Sequence, residues 1–478
     1  MAYCGYVVKI QHLRQHSNAD RLQIATVFGN DVVVGLDVQL GQLMVYFPTD
    51  GQLGEEFCKV NDLVRRKDEN GNNAGGYLDP EKRNIKAIKL RGEKSDGLLL
   101  PVTCLAEFTK VSDLKEGDQI TTLNGIEICK KYIPRRKNHS GGSYSGSKSG
   151  KAKANIAPTF FEHVDTAQLA YNLPAFKSGD IVELTLKMHG TSGRTGYLPL
   201  RRYKQSLLDK LFKKPGKPYM EYGYVTGTRR TVLSEPKDNP NYSTGYYGDN
   251  DFRIKCAEKF EGKLHKGEVV YYEIVGYVNP ATPIMASVKN SKVKDPEFTR
   301  QYGEMTIFHY GCTPTPVKLM SVPDDWDGSM NGVVVTQDAP QFEVYVYRMT
   351  MVNEDGDVVE YSPDQMRVRC EQMGVNYVPV FERFIVPENC GEVLTDKSGD
   401  TDYGVCTPGE FVLRKVEQYY DGPDPIGKTH IREGVVARIV NRPNIAVYKH
   451  KNFNFKVLEG IIKDEADAPD MEEAQEEV

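Results

Sequence analysis

A short segment in the middle of this chain brings together residue types that suit chemistry on a phosphate. The β-type run Ile181–Lys187 ends in a lysine, and a turn that contains His189, Gly190 and Ser192 follows. A lysine at the end of a strand loses its proton more readily when it is desolvated or placed beside other cations, and the neutral amine is a nucleophile. Glycine lets the backbone approach a ligand closely. The segment therefore predicts a nucleophilic Lys187 beside a ligand-binding turn.

The K-x-x-G pattern of this segment is weak by itself. It also occurs, outside this context, at Lys94–Gly97 and Lys213–Gly216. A surface lysine before a turn is the usual explanation of a single occurrence, so companion residues must support the nucleophile. Such companions follow in order along the chain: Arg229 and Arg230, then Glu273, then Glu433 before Gly434, then Lys449 and Lys451, which are two residues apart and share one face of a strand.

These segments resemble the motifs of the covalent nucleotidyltransferase superfamily, which contains ATP-dependent ligases and capping enzymes. K-M-H-G-T-S, beginning at Lys187, matches motif I, and Glu273 matches motif III. Glu433 in E-G-V-V matches motif IV, and K-H-K, beginning at Lys449, matches motif V. Within the superfamily, the chain is most similar to ATP-dependent RNA ligases that carry an N-terminal OB-fold domain.

The resemblance implies a three-step reaction with ATP as cosubstrate and Mg²⁺ or Mn²⁺ as the metal. Lys187 forms lysyl-AMP, the AMP passes to a polynucleotide 5′-phosphate, and a 3′-OH displaces it to seal the break, expected to be a nick in a duplex with an RNA 3′-OH strand. By the family pattern, Lys449 and Lys451 assist Lys187, and Glu433 and Glu273 hold the metal through its waters. The residues implied to bind the nucleotide are Glu183, His189, Gly190, Ser192, Arg229, Arg230, Glu273, Tyr347, Glu433, Lys449 and Lys451.

Two alternatives concern the recognition of adenine. Either Tyr345 or Tyr347, in an alternating β-type run, covers the base while the other packs in the core, and we favour Tyr347. Glu183 lies on the same strand face as Lys187 and is expected to contact adenine. The superfamily often places a glutamate directly before the lysine, whereas this chain has Leu186 there.

Other site residues also have a plainer interpretation. His189 either packs in the turn or contacts pyrophosphate or a metal-bound water. Glu273 is either an ordinary ion-paired strand residue or a ligand of the ribose or of a metal-bound water.

The N-terminal part of the chain has a different pattern. Residues 1–127 contain five short β-type runs separated by Gly, Asn and Asp turns, which predicts a closed barrel of the OB type that binds nucleic acid. The segments His16–Ala25 and Leu90–Leu98 resemble OB modules that bind structured RNA. Residues 128–157 are basic and then Ser/Gly-rich, which predicts a flexible linker.

The remainder predicts an α+β nucleotidyltransferase domain over residues 158–461, with antiparallel or mixed sheets and flanking helices. An acidic tail, 462–478, is expected to be disordered. The predicted strands are Ile181–Lys187, Tyr219–Thr226, Val269–Val275, Phe342–Met351 and Glu433–Val440. The predicted helices are Ser206–Lys213, Asp251–Lys263 and Asp364–Met373.

Composition limits the class of protein. The formal net charge is −5, but eight acidic and no basic residues lie in the last fifteen, so the rest of the chain is mildly basic and compatible with a nucleic-acid partner. Nine cysteines without a C-x-x-C pair argue against a disulfide framework or structural zinc. We expect no membrane association, a cytoplasmic or nuclear location, and no obligate protein partner.

Two other functions remain open at the sequence level. DNA ligases and capping enzymes usually carry a second OB domain after motif V, for which the 27 residues after Lys451 leave no room. A catalytically inactive RNA-binding protein would be expected to lack the lysine or a motif carboxylate, and these are all present.

Overall fold

The computed structural model describes residues 3–67, 69, 71, 73–133, 157–164, 166–206, 211, 216–229, 232–234, 252–321, 334–394 and 403–464. Most of the predicted linker, most of the predicted helix Ser206–Lys213, Arg230 and the tail from residue 465 lie outside these ranges. Mostly antiparallel sheets with few helices make up the described part of the chain, in agreement with an α+β fold.

A five-stranded sheet carries the predicted nucleophile. Its strands, in spatial order, are Ala167–Gln168, Ala446–Lys451, Gly434–Ile439, Ile181–Lys187 and Val380–Ile385. Only the first pair is parallel. The register places Gly434 opposite both Lys187 and Lys451, so the ends of three strands meet at one edge.

A second, larger and mostly antiparallel sheet follows along the chain. Its first strand in chain order begins at Thr191, within motif I. Its strands, in spatial order, are Val232–Ser234, Lys217–Gly227, Thr191–Lys204, Glu268–Asn279, Phe342–Val352 and Val358–Glu360, and Thr282–Pro283 and Asn376–Tyr377 add to its central strands. Ser192 lies opposite Glu273, which lies opposite Tyr345. The main core packs on this sheet and includes Tyr272, Ile274 and Val346, all fully buried.

In the described part of this region, five α-helices and three two-stranded ribbons accompany the two sheets. The helices are Phe252–Ala257, Pro296–Tyr302, Pro363–Met373, Pro408–Glu417 and Phe453–Asp464. The ribbons are Val288–Lys289 with Met305–Thr306, Val317–Ser321 with Val334–Ala339, and Glu392–Leu394 with Tyr403–Val405. Local signals explain two helix starts, because Ser362 and Thr407 each form a capping box with the residue three positions on. The predicted helix Asp251–Lys263 is shorter than expected and ends in turns after Ala257.

The N-terminal strands form separate small sheets. A four-stranded sheet contains Leu98–Pro101, Leu43–Phe47, Gly5–Lys9 and Gln119–Ile120, and a three-stranded sheet contains Leu13–Gln15, Leu22–Val27 and Asn30–Gly35. Two-stranded pairs join Ala87–Leu90 to Glu93–Asp96, Thr122–Leu123 to Ile126–Glu127, Cys129–Lys131 to Gly51–Leu53, and Arg66–Lys67 to Asn73–Gly75, and one helix spans Glu55–Val60.

These N-terminal sheets are joined by apolar packing instead of a continuous hydrogen-bonded ladder. Val8 and Met44 of the first sheet share a core with Ala25 and Val32 of the second. Strand pairings among the described residues do not close into a ring, so the closed barrel predicted from the sequence is not confirmed.

Two further features bear on the predictions from composition. All nine cysteines are free and buried, as expected from the absence of paired spacing. Among the described residues, none of the helices has the length and apolarity that crossing a bilayer requires.

The packing predicts which apolar truncation destabilises the protein. Ile274 is fully buried in the main core, whereas Ile385 is 65% exposed on an edge strand. We expect Ile274→Ala to lower the free energy of unfolding by about 2–5 kcal/mol. The matched Ile385→Ala should change it by less than about 0.5 kcal/mol. Urea titrations of both variants measure the difference, and equal losses would show that the assigned core is wrong.

Candidate active site

The site is built around a buried carboxylate between two lysines. Lys187 ends its strand opposite Gly434, and its Nζ lies 2.7 Å from Oε1 of Glu433, whose side chain is 3% exposed. Lys451, on the other side of Gly434, places its Nζ 3.6 Å from the same oxygen. A Cβ at position 434 would lie 2.1 Å from the carbonyl oxygen of His450, so only glycine lets these strands approach. The E-G pair of the sequence motif therefore has a direct structural reason.

The charges of this cluster compensate one another. Burial raises the pKa of the Glu433 carboxyl, but the cations Lys187 and Lys451 outweigh burial and hold that pKa below its usual value. Burial lowers the pKa of Lys451, but Glu459 and Glu433 outweigh it and raise that pKa above the usual value. Glu433 and Lys451 are consequently charged at neutral pH.

Ion pairs continue from this cluster into the C-terminal helix and the N-terminal region. Lys451 Nζ donates to both carboxylate oxygens of Glu459, at 2.9 and 2.8 Å. Lys463 Nζ lies 3.4 Å from Glu459 and 3.2 Å from Asp50, a residue of the N-terminal region. Sequence reasoning missed Glu459, although its spacing from Lys463 is the i,i+4 spacing of a helical ion pair.

Lys449 differs from the other two lysines. Burial and the neighbouring cations Lys187 and Lys451 lower its pKa to about 7. Its side chain lines two cavities that meet at Lys187. Lys449 is thus a cation whose charge changes near neutral pH, within reach of the same space as the nucleophile.

The turn after Lys187 is held by backbone hydrogen bonds. The backbone N–H of His189 donates to the Tyr310 hydroxyl at 2.7 Å, and that of Gly190 donates to Glu273 Oε1 at 3.0 Å. A Cβ at position 190 would lie 2.4 Å from the carbonyl oxygen of Ile274, so the close approach requires glycine. Glu273 therefore positions the motif I turn, and this contact does not decide between its two interpretations from the sequence.

The His189 side chain packs against aromatic rings and also lines a cavity. Its ring meets Phe308 and Phe455 edge-on, with centroid distances of 4.6 and 4.8 Å. Burial lowers its pKa to about 4, so the imidazole is neutral at pH 7. Its Nδ1 lies 3.9 Å from Glu433 Oε2. The turn-packing interpretation of His189 is thus part of its role.

A cavity of about 170 Å³ opens on one side of Lys187. Polar residues from both sheets line it together with apolar side chains: Glu183, Thr185, Ser192, Arg229, Glu273, Tyr347, Arg348, Arg438 and Lys449, with Met366, Val378, Val436, Ile445 and Val447. Such a mixture of apolar walls and a few convergent polar groups is typical of small-molecule sites.

The residues predicted to contact adenine differ in their position relative to this cavity. Tyr347 lines it, whereas Tyr345 is 9% exposed and packs in the main core. Glu183 lines it too, but its carboxylate accepts two hydrogen bonds from Arg367 Nη1, at 3.0 and 2.9 Å. His163, which sequence reasoning missed, meets the Tyr347 ring edge-on with centroids 5.1 Å apart. No local sequence pattern around His163 indicates this contact.

A second cavity, of about 450 Å³, lies on the other side of Lys187 and reaches the N-terminal region. From the catalytic side it is lined by Lys187, His189, Gly190, Arg229, Glu273, Glu433, Lys449, Lys451 and Glu459, and from the N-terminal side by residues such as Tyr3, Tyr6, Tyr46, Asp50 and Asp96. Lys187, Arg229, Glu273 and Lys449 line both cavities. The lysine therefore stands at a junction between two spaces.

The carboxylates suit a hydrated cation better than a directly bound one. Within the described ranges, no group of three or more His, Cys, Asp or Glu residues is arranged to hold a metal. Oε2 of Glu433 is buried and accepts no hydrogen bond from the described residues, although it lies at the larger cavity with Glu273. Mg²⁺ usually keeps several of its waters, and a metal-bound water would satisfy such an oxygen. The residues present therefore fit a divalent cation held through water.

Comparison with solved structures finds chains that align with most of this one. Two are variants of an RNA ligase from Naegleria gruberi, one with ATP and Mn (15% identity, TM-score 0.48) and one with AMP and Mn (14%, 0.49), each match covering 95% of this chain and 97% of the other. The same ligase with PPi matches at 14% identity and a TM-score of 0.48, over 97% of this chain and 98% of the other. No family model and no curated protein sequence matches this chain.

With identities of 14–15% and TM-scores below 0.5, these likenesses carry no argument about the family or the ligands of this chain. Function is inferred here from the residues of the site.

The lowered pKa of Lys449 predicts a pH-dependent stability. Between pH 7 and about 10.4, the ordinary pKa of lysine, the unfolded chain keeps a proton that the folded protein has released. Stability therefore rises with pH in this range. The difference in unfolding free energy between the wild type and Lys449→Met should increase by up to about 1.4 kcal/mol per pH unit.

Urea titrations at pH 7, 8 and 9 measure this difference. Lys110→Met, at a lysine that is 78% exposed, serves as the control and should keep the wild-type slope. Parallel curves for the wild type and Lys449→Met would refute the assigned environment of Lys449.

Proposed function

We propose that this protein is an ATP-dependent RNA ligase that joins 5′-phosphate and 3′-OH ends through a lysyl-AMP intermediate. The observation that carries the proposal is the position of Lys187. Its Nζ lies 2.7 Å from the buried Glu433, at the junction of two cavities that share Lys449 and Arg229. A nucleophile with one space for a nucleotide and another open toward a second substrate suits a two-substrate group transfer.

In the first step, the neutral amine of Lys187 attacks the α-phosphorus of ATP. A P–N bond forms, the bond to pyrophosphate breaks, and the amine proton leaves the nitrogen. Glu433 is the carboxylate nearest the amine and is placed to accept that proton. Lys449 and Arg229 offer positive charge to the phosphate, and such preorganised charge lowers the barrier where negative charge develops.

The nucleoside would occupy the smaller cavity. Tyr347 is available there to cover the base, and the apolar side chains Val436 and Met366 provide a dry wall. Ser192 and Glu273 lie near the ribose end, close to Lys187. Arg367 already engages the carboxylate of Glu183, so we assign Glu183 to shaping the cavity through that ion pair and to contacting adenine only at its edge.

The larger cavity would receive the polynucleotide end. There the 5′-phosphate attacks the lysyl-AMP, so that Lys187 leaves as an amine and a pyrophosphate linkage forms. A 3′-OH then attacks the activated phosphate and AMP leaves, which closes the phosphodiester. Lys451, held by Glu433 and Glu459, is the fixed cation facing this space.

A divalent cation, Mg²⁺ or Mn²⁺, would be held through its waters by Glu433 and Glu273. When bound, it supplies positive charge to the phosphate oxygens. The buried Oε2 of Glu433 is the acceptor that supports this placement. The orientation of the lysine and the exclusion of solvent are tasks of the protein residues.

Residues 1–127 are proposed to be an OB-type nucleic-acid-binding domain, residues 128–157 a linker, residues 158–461 the nucleotidyltransferase domain and residues 462–478 a tail. Two of these predicted boundaries need correction: Cys129–Lys131, at the start of the linker, form a strand with Gly51–Leu53, and the first three residues of the tail continue the helix Phe453–Asp464. The N-terminal residues that line the larger cavity support a role in holding the strand that supplies the 3′-OH. Asp96 and Asp50 attach this region to the C-terminal helix through Lys456, at 2.6 Å, and Lys463, at 3.2 Å.

The first test is covalent attachment of AMP. Intact mass after incubation with ATP and Mg²⁺ should show one AMP on Lys187, located by peptide mapping. Lys187→Ala should abolish the adduct, since alanine has no nucleophile. Lys94→Ala, an exposed lysine with the same K-x-x-G pattern, should keep it.

Any other outcome of these assays would indicate a different function for the protein. A GMP adduct from GTP would indicate a capping enzyme, and an AMP adduct from NAD⁺ would indicate another ligase class. An adduct that survives in Lys187→Ala would move the active lysine elsewhere. Folded protein that is free of bound AMP and forms no adduct would indicate an RNA-binding protein. Sealing of DNA nicks in preference to RNA would indicate a DNA ligase.

The second test distinguishes lysyl-AMP formation, the first step, from sealing, the last step. A chain that lacks residues 1–127 should still form lysyl-AMP, because the residues that line the smaller cavity, where the nucleotide is proposed to bind, all lie beyond that point. Its sealing of nicked RNA should fall at least about tenfold. Circular dichroism checks that the shortened chain folds. Sealing equal to that of the full chain would refute the role assigned to the N-terminal region.

A further inference from the structure

A two-stranded arm extends from the larger sheet. The strand Thr191–Lys204 pairs with Glu268–Asn279 only up to Gly196, and Lys217–Gly227 pairs with Val232–Ser234 only at its last two residues. Beyond this point, as far as the described ranges show, residues 198–204 and 217–223 pair only with each other. We call these two segments the arm.

The far half of the arm is exposed on both faces. Tyr203 and Tyr219 are each 45% exposed and Met220 is 50% exposed, and the five residues 217–221 are all exposed. An isolated two-stranded ribbon is marginally stable in water, because neither face is buried. Large exposed side chains on such a ribbon are better explained by a binding partner than by the stability of the fold.

One face of the arm is basic. Residues directly opposite in an antiparallel pair point to the same side, and the register sets Arg202 opposite Tyr219 and Lys204 opposite Lys217. We call these four residues the basic face. Glu221 contributes one carboxylate, 3.7 Å from Arg202, and is itself 60% exposed.

The charge of the surrounding sequence is strongly one-sided. Residues 201–220 contain seven basic residues and one acidic residue. Lys and Arg interspersed with tyrosine on an exposed strand surface are typical of proteins that hold a nucleic-acid backbone, since the cations meet phosphates and the ring offers a stacking surface. An acidic protein partner would use the cations but would leave the tyrosine unexplained.

The strand that leads into the arm starts at the candidate active site, and the arm includes its far end. Thr191 follows the motif I turn directly, and the strand then continues for 14 residues to Lys204. At about 3.3 Å per residue, it extends roughly 43 Å. That length corresponds to about a dozen base pairs at roughly 3.4 Å each.

We propose that the basic face of the arm binds the phosphate backbone of a nucleic-acid duplex about one helical turn from the break. This inference rests on the proposed function, since the arm would align the substrate of that reaction. The arm lies away from the residues around Lys187, so it acts on affinity for the polynucleotide and leaves AMP transfer to the lysine unchanged.

The test compares two triple variants. One is Arg202→Ala, Lys204→Ala and Lys217→Ala. The control is Lys177→Ala, Lys289→Ala and Arg300→Ala, which removes the same charge from exposed positions outside the arm and outside residues 1–127. Binding of nicked RNA duplexes with 24-base-pair or 6-base-pair flanks is measured by fluorescence anisotropy over a range of salt concentrations, and thermal melting confirms folding.

We expect the arm variant to bind the long duplex on the order of tenfold more weakly at low salt, while the control variant binds like the wild type. The slope of log K against log salt should become shallower by up to about 2.7, or roughly 0.9 for each lost phosphate contact. With 6-base-pair flanks, all three proteins should bind alike because the duplex does not reach the arm.

Other results overturn the proposal. Equal affinities and slopes for the long duplex would exclude the arm from nucleic-acid binding. An equal loss for long and short duplexes would exclude the distance argument. If polyglutamate, but not RNA, binds the wild type better than the arm variant, the face belongs to an acidic protein partner. Because binding is measured without catalysis, a missing AMP adduct would refute the proposed reaction and not the arm.

Discussion

The buried carboxylate of Glu433 is the interaction on which the rest of the site depends. It lies between Lys187 and Lys451 and is only 3% exposed, so burying this charge would be costly without those cations, and Lys187 would lose the carboxylate that lies 2.7 Å from its Nζ. The strand register makes this arrangement possible, because Gly434 lies opposite both lysines. The geometry of the candidate site therefore depends on the pairing of these strands.

That constraint extends to the N-terminal region through one helix. Phe453–Asp464 presents Glu459 to Lys451, and it presents Lys456 and Lys463 from the same helix face to aspartates of the N-terminal region. The ring of Tyr6 also lies 4.8 Å from that of Tyr171, across the same boundary. A change in how the N-terminal region sits against this helix would thus be transmitted to Lys451. This connection gives the proposed substrate-holding role a physical route to the reacting groups.

The two cavities and the arm divide the proposed reaction in space. The smaller cavity offers a nucleotide apolar walls and Tyr347, and the larger one offers a second substrate the fixed cation Lys451. Lys187 serves both because it ends its strand at their junction. The strand that leads into the arm begins at the turn after Lys187. The nucleotide, the break and the flanking duplex would therefore be aligned along this strand.

The sequence by itself determined the chemistry-bearing residues and the strands that carry them. Ile181–Lys187 has the predicted bounds and Phe342–Val352 is one residue longer than predicted, because an apolar run between turn residues depends on local preferences. The order of Lys187, Glu273, Glu433 and Lys449 likewise needed no structure, since each residue has a local motif around it.

Only the tertiary structure decided which of these groups touch. Three contacts join positions that no local pattern relates: the ion pair of Glu183 with Arg367, the ring contact of His163 with Tyr347, and the ion pair of Glu459 with Lys451. For Glu459, the sequence offered only its helical spacing from Lys463. The closed N-terminal barrel was predicted from short strands alone, but closure depends on pairing between distant edges. In the described residues apolar packing joins those sheets instead, because side-chain contacts across a core can join sheets whose edges do not hydrogen-bond.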